Sequence, residues 1–153
     1  MMKKLITMIL TFVLLFSFAC ADSVSAFVDR WNNTAPEYGV PTIEEKDAVI
    51  DHEECYTFKG DGWKFRICFW KGTLYAVEAY AEQPELFLGI CVTMGASAVI
   101  EKTADEMITY QCNILRGFLR ANTEGYSLTS PFGIFSVYIE KDGSGYELVM
   151  EEK

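Results

Sequence analysis

The chain holds 153 residues, half of them hydrophobic, with 22 acidic against 13 basic side chains and a net charge of −9. An acid excess of that size repels phosphate backbones and anionic lipid surfaces, which sets nucleic acid aside as a partner. No repeat, low-complexity tract or long linker interrupts the sequence, so nothing marks a boundary for a second domain.

Residues 1–21 begin with Lys3 and Lys4 and continue as an apolar run from Leu5 to Phe18, broken only by Thr7, Thr11 and Ser17. That is the pattern of a secretory signal peptide. The small triplet Ala19-Cys20-Ala21 suits cleavage before Asp22 and a secreted or extracytoplasmic product. The alternative is a lipoprotein anchored at Cys20, against which stands Ser17, where lipoprotein processing favours Leu. The apolar run is short of the roughly 20 residues that cross a bilayer, so membrane attachment would come only through Cys20. The mature chain, residues 22–153, then forms a single α+β domain with 11 basic and 22 acidic residues, a net charge of −11. A chain of that length buries about two-thirds of the surface it exposes when unfolded.

From Ser23, the residues Val24, Phe27, Val28 and Trp31 recur at helical spacing and predict a helix ending near Asn33, with Ser23 or Asp22 as N-cap. Asn32-Asn33-Thr34 matches a glycan acceptor, of consequence only in a eukaryotic secretory pathway. An acidic segment runs from Glu44 to Glu54, with a short edge strand near Val49. Residues 55–81 then read as three antiparallel strands joined by two tight turns. Asp61-Gly62 predicts a two-residue type I′ loop, which places Cys55 opposite Cys68 at a non-hydrogen-bonded pair with Cα atoms roughly 4.5 Å apart, within disulfide reach. The same register turns Phe58, Phe65 and Ile67 inward and Thr57, Lys59, Lys64 and Arg66 outward. At Lys71-Gly72 a two-residue loop would carry Glu78 into the core, so a three-residue loop is predicted. It keeps Tyr75, Val77 and Ala79 inward with Phe69 and sets Glu78 outward beside Arg66 or Lys64.

Pro84 suits the first turn of a helix running to about Ile100, with Leu86, Phe87, Ile90, Cys91 and Met94 on its apolar side and Gly89 and Gly95 weakening it. Thr103-Ala104-Asp105-Glu106 is a capping box that opens a helix to Asn122, its apolar stripe made of Met107, Ile108, Cys112, Leu115, Phe118 and Leu119. If the two helices pack antiparallel, residues whose numbers sum to about 203 share one height, which predicts a second disulfide, Cys91 to Cys112. Ile134 to Glu140 and Tyr146 to Met150 read as a hairpin around Asp142-Gly143, with Phe135, Val137 and Ile139 facing inward against Tyr146, Leu148 and Met150. The predicted fold is thus an N-terminal helix, a three-stranded antiparallel meander, an αα-hairpin and a C-terminal β-hairpin, with the helices on one face of an antiparallel sheet.

Chemistry-bearing constellations are sparse. Asp51-His52-Glu53-Glu54 holds the single histidine, but adjacent residues do not converge on one ion, and no metal or cofactor is predicted. Four mature cysteines without a C-x-x-C pair point to disulfides in an exported chain. No G-x-S-x-G, phosphate loop or dinucleotide fingerprint occurs. The outward face of the meander instead gathers Lys64, Arg66, Trp70, Leu74 and Tyr80, mixing two cations with residue types that anchor interfaces. The expected function is a non-catalytic binding or interaction module of the cell envelope or extracellular space, meeting a protein or an envelope component through Lys64, Arg66, Trp70 and Tyr80. The alternative is a small extracellular hydrolase with a site near His52 or Glu78.

Overall fold

The computed structural model describes residues 23–52, 54–98, 104–128, 135–143 and 145–152; the signal peptide expected over 1–21 and Thr103 of the expected capping box lie outside them. The Ser23 side chain accepts from the Ala26 amide at 3.2 Å and opens helix α1 (Val24–Thr34), whose Val24, Phe27, Val28 and Trp31 are all buried. The cap satisfies one of the N–H groups a helix start leaves without an internal partner. Trp31 then anchors the segment that leaves the helix, its indole N–H donating to the Pro41 carbonyl at 2.9 Å. Asn32 clamps Ile43 from both sides, donating to its carbonyl at 2.8 Å and accepting from its amide at 2.9 Å. Both ends of the Asn32 amide are thus engaged with the backbone of one residue, which ties the helix to the segment that follows it.

Strands β1 (Val49–His52), β2 (Cys55–Gly60), β3 (Trp63–Trp70) and β4 (Thr73–Ala81) pair antiparallel in succession. Between β2 and β3 the register runs from Cys55 opposite Cys68 to Gly60 opposite Trp63. Cys55 and Cys68 form a disulfide with Cα atoms 4.2 Å apart, the mark of an oxidising environment. The turn between them departs from type I′, which needs positive φ twice: of its two residues only Gly62 takes a left-handed φ, 70°.

The second turn corrects the sequence reading more deeply. Lys71 (φ 50°) and Gly72 (φ 77°) both adopt positive φ and Trp70 pairs with Thr73, so the loop has two residues, not three. Parity is restored further along, because Phe69 faces Leu74 while Cys68 faces Ala76, leaving Tyr75 as the extra residue of a β-bulge. Leu74, expected on the outward face, is therefore buried. Tyr75, expected inward, brings its hydroxyl 3.9 Å from Cys55 Sγ. Beyond the bulge Val77 and Ala79 are buried and Glu78 pairs with Arg66, as the core pattern demanded.

Helices α2 (Pro84–Ala98) and α3 (Ala104–Glu124) come next, then strands β5 (Tyr126–Leu128), β6 (Phe135–Asp142) and β7 (Gly145–Glu152). β7 docks on the free edge of β4, and all seven strands form one antiparallel sheet in the order β1-β2-β3-β4-β7-β6-β5. The chain is therefore an α+β fold. The helices pack on one sheet face, where Trp31 stacks on Phe65 at 4.3 Å between ring centroids, Phe87 on Tyr146 at 5.3 Å, and Phe118 meets Tyr146 at 5.0 Å. Of the inward residues predicted for the last hairpin, Ile139, Tyr146, Leu148 and Met150 are buried; the side chains of Phe135 and Val137 lie outside the described set.

The contact between α2 and α3 overturns the second predicted disulfide. The Tyr110 ring fills the space where a Cβ on Gly95 would stand, and its hydroxyl donates to the Cys91 carbonyl at 2.8 Å. Residues 110 and 112 lie about 200° apart around a helix, so turning Tyr110 inward turns Cys112 outward. Cys91 and Cys112 are both free thiols, the first buried and the second exposed. The predicted stripe of α3 is corrected in the same way: Tyr110, Ile114, Gly117 and Ala121 face the core, while Ile108, Leu115 and Leu119 are 57%, 51% and 55% exposed. No helix of the described residues is long and apolar enough to cross a membrane.

Candidate functional site

With the described helices all on one face, the other face of the sheet is open, and its register lines side chains up from edge to edge. One row runs from Val49 on β1 through Thr57, Arg66, Glu78, Val149 and Tyr138 to Leu128 on β5. The neighbouring row runs from Lys59 through Lys64, Tyr80, Glu147 and Glu140 to Tyr126. Side chains in such rows stand close enough to act on one ligand.

Where the two rows cross β3 and β4 they enclose a cleft of about 170 Å³, lined by Asp51, Thr57, Lys64, Arg66, Glu78, Tyr80 and Glu147. Thr57 Oγ1 donates to Asp51 Oδ2 at 2.5 Å, which fixes that carboxylate. Arg66 lies between two acids, its Nε 3.9 Å from Asp51 Oδ2 and its Nη1 3.7 Å from Glu78 Oε2. Both distances give charge attraction without hydrogen-bond geometry. Arg66 Nε is shielded from solvent and lies beyond hydrogen-bond distance of Asp51. Beside it, Lys64 Nζ stands 5.8 Å from the centroid of the Tyr80 ring. That ring lies on Gly145, filling the place of a Cβ, so the absence of a side chain at residue 145 sets the angle of Tyr80.

Three carboxylates against two cations leave the cleft acidic by one formal charge. A free phosphate or sulfate would meet more repulsion than attraction there. An uncharged group with both donors and acceptors, such as a peptide backbone, suits the pattern: Arg66 and Lys64 to donate, Glu78, Asp51 and Glu147 to accept.

Lys64, Arg66 and Tyr80 of the predicted binding residues thus converge, and Trp70 stands apart. It is 63% exposed at the far end of β3, about 13 Å along the strand from Arg66, with Lys71 Nζ 5.5 Å from its ring centroid. His52 ends β1 on the sheet edge, exposed and outside the cleft lining, whereas Glu78 lines the cleft. Among the described residues no group of three or more His, Cys, Asp or Glu could hold a metal ion.

Sequence reasoning missed the other half of this face. Tyr126 and Leu128 are each 50% exposed and Tyr138 is 37% exposed, an apolar continuation of the polar cleft. The alternation of exposed Tyr126, buried Ser127 and exposed Leu128 is the strand signature that could have disclosed β5, though three residues are a short run on which to rest a strand. Nothing local could have shown that β5 and β6 lie on the same face as Arg66. Compared with protein-family models, with curated proteins and with solved structures, the chain matches none of them.

Proposed function

We propose that the protein is a non-catalytic binding module of an extracytoplasmic compartment and that it engages its partner with the open face of the sheet. The observation that carries this reading is a cleft in which Lys64 and Arg66 alternate with Asp51, Glu78 and Glu147 and which the exposed Tyr138, Tyr126 and Leu128 extend. Such a surface suits an extended polypeptide, whose amides satisfy the cleft while its apolar side chains cover Tyr138, Tyr126 and Leu128. A secreted chain, or a lipoprotein held by Cys20, would present the face to envelope proteins equally well.

The test is a pull-down from the protein's own cell envelope with wild type, Arg66→Ala and Tyr138→Ala. Both substitutions are expected to leave the melting temperature within a few degrees and to weaken partner retention at least tenfold. Retention unchanged in both variants, with both folded, removes this face as the contact surface.

A further inference from the structure

We infer that the open face of the sheet takes an extended peptide laid across its strands, and that this peptide carries an acidic and a basic side chain four residues apart. The inference rests on the reading of that face as a polypeptide-binding surface and names the sequence the surface selects. Its basis is a single row of side chains. Lys59 stands directly opposite Lys64 at one end, Glu140 directly opposite Glu147 towards the other, and Tyr80 pairs with both Lys64 and Glu147 midway between them. Like charges set opposite each other on neighbouring strands repel and destabilise a sheet. Two such pairs of opposite sign in one row make a dipolar track, and a ligand of complementary charge relieves the repulsion at both poles.

The charges of this row are uncompensated. All four charged side chains are exposed, and among the described residues none of them forms an ion pair. In the neighbouring row, by contrast, Arg66 already lies between Asp51 and Glu78. Beside the lysine pole is a shallow depression lined by Lys59, Trp63, Lys64, Tyr80 and Glu82, where Glu82 offsets one of the two positive charges and the other remains. The Tyr80 ring, resting on Gly145, occupies the midpoint between the poles.

Spacing and parity define the ligand. In the order β2-β3-β4-β7-β6 the centres of the two poles are three strand intervals apart, and at roughly 4.8 Å per interval that is about 14 Å. An extended chain advances roughly 3.4 Å per residue, so about four residues cover the same distance. Its side chains alternate from side to side, so residues i, i+2 and i+4 all point towards the sheet. The acid at i meets Lys59 and Lys64, the base at i+4 meets Glu147 and Glu140, and the residue between them lies over Tyr80, where an apolar side chain suits the ring. A second copy of the chain, turned about β4 to set lysines over glutamates, would bring Glu78 against Glu78 and a net charge of −9 against another of −9. The occupant is therefore a peptide and not another copy.

The protein, exported by a host into an oxidising compartment, is titrated in low salt with blocked seven-residue peptides and followed by amide chemical shifts. The probe is built of threonine, whose β-branching favours an extended chain, with valine at the centre, glutamate at the second position and lysine at the sixth. Replacing both charges by glutamine is expected to weaken binding at least fivefold, and so is moving the lysine one position inward, which turns it to the other side. Added salt should weaken the charged probe alone. Lys59→Glu with Lys64→Glu is expected to shift preference to a probe with lysine at both positions, and Glu140→Lys with Glu147→Lys to one with glutamate at both. Each double variant exchanges one exposed like-charged pair for another, so the melting temperature should stay within a few degrees. Preference unmoved in both folded variants, equal binding of charged, uncharged and shifted probes, or binding of none of them overturns the inference. Partner retention in the pull-down that still falls in Arg66→Ala and Tyr138→Ala would then leave the open face as the contact surface, whereas unchanged retention would remove that reading as well.

Discussion

Lys71 holds a φ of 50° in the turn between β3 and β4, a conformation that costs an L-residue with a Cβ about 1–2 kcal/mol. Its backbone amide donates to Glu54 Oε2 at 3.2 Å, which any residue there would keep. Lys71→Asn creates Asn-Gly, the dipeptide best suited to a turn with two positive φ values, and is expected to raise stability by about 0.5–1 kcal/mol. A higher urea midpoint at unchanged slope would register it. A second residue-scale consequence concerns pH. Burial pushes the Cys91 thiol and the Tyr110 phenol well above their ordinary values of 9.0 and 10.0. Both groups therefore keep their protons in the folded chain where the unfolded chain loses them, so their contribution is fully present below pH 9 and is lost as pH climbs past 9 and then 10. Urea melts from about pH 7 to about pH 11 are expected to show that fall. In Tyr110→Phe the fall should be shallower, after a loss of about 1 kcal/mol near neutral pH from the missing bond to the Cys91 carbonyl.

At the scale of elements, the contrast between α1 and α3 shows what a sequence discloses. Helix α1 carries one apolar stripe and a clear cap, and the stripe that spacing predicts is the stripe that is buried. Helix α3 carries two, and hydrophobicity does not say which faces inward. The decision comes from shape, since Gly117 and Ala121 allow close approach and Tyr110 needs the space Gly95 leaves. The pairing of Cys91 with Cys112 failed with that choice. The β3–β4 hairpin teaches the same lesson, for parity along β4 was legible because Val77 and Ala79 had to face inward, but parity is equally well set by a longer loop or by a bulge. Deleting Tyr75 removes only the bulge and keeps Val77 and Ala79 inward, so the variant is expected to fold with a loss of no more than about 2 kcal/mol. Inserting one residue after Leu74 and deleting none leaves two surplus residues, which keeps Val77 and Ala79 inward but moves their partners on β3 by two positions, and is expected to cost more than the deletion; circular dichroism and melting of the two variants separate the outcomes.

For the whole molecule, the Cys55–Cys68 link fastens the first half of the sheet to itself. It closes a loop of about 14 residues, and the Cys55→Ala, Cys68→Ala variant is expected to lose on the order of 3 kcal/mol in chemical denaturation. That half was readable because its pairings are local and its turn residues mark them. The junction of β4 with β7 was not, because no short stretch of sequence announces a partner so far along the chain: Ala81 pairs with Tyr146 across 65 positions and Ala76 with Glu151 across 75. The same junction governs the order of events in folding. The β2–β3–β4 ribbon forms from neighbours within microseconds, whereas the central seam of the sheet waits for the latest described strand of the chain. Until β7 arrives, β4 is a bare edge in mid-sheet, with Val77 and Ala79 awaiting Met150 and Leu148. A nascent chain spends that interval open to pairing with any other strand, and a truncation before Gly145 would leave it in that condition permanently.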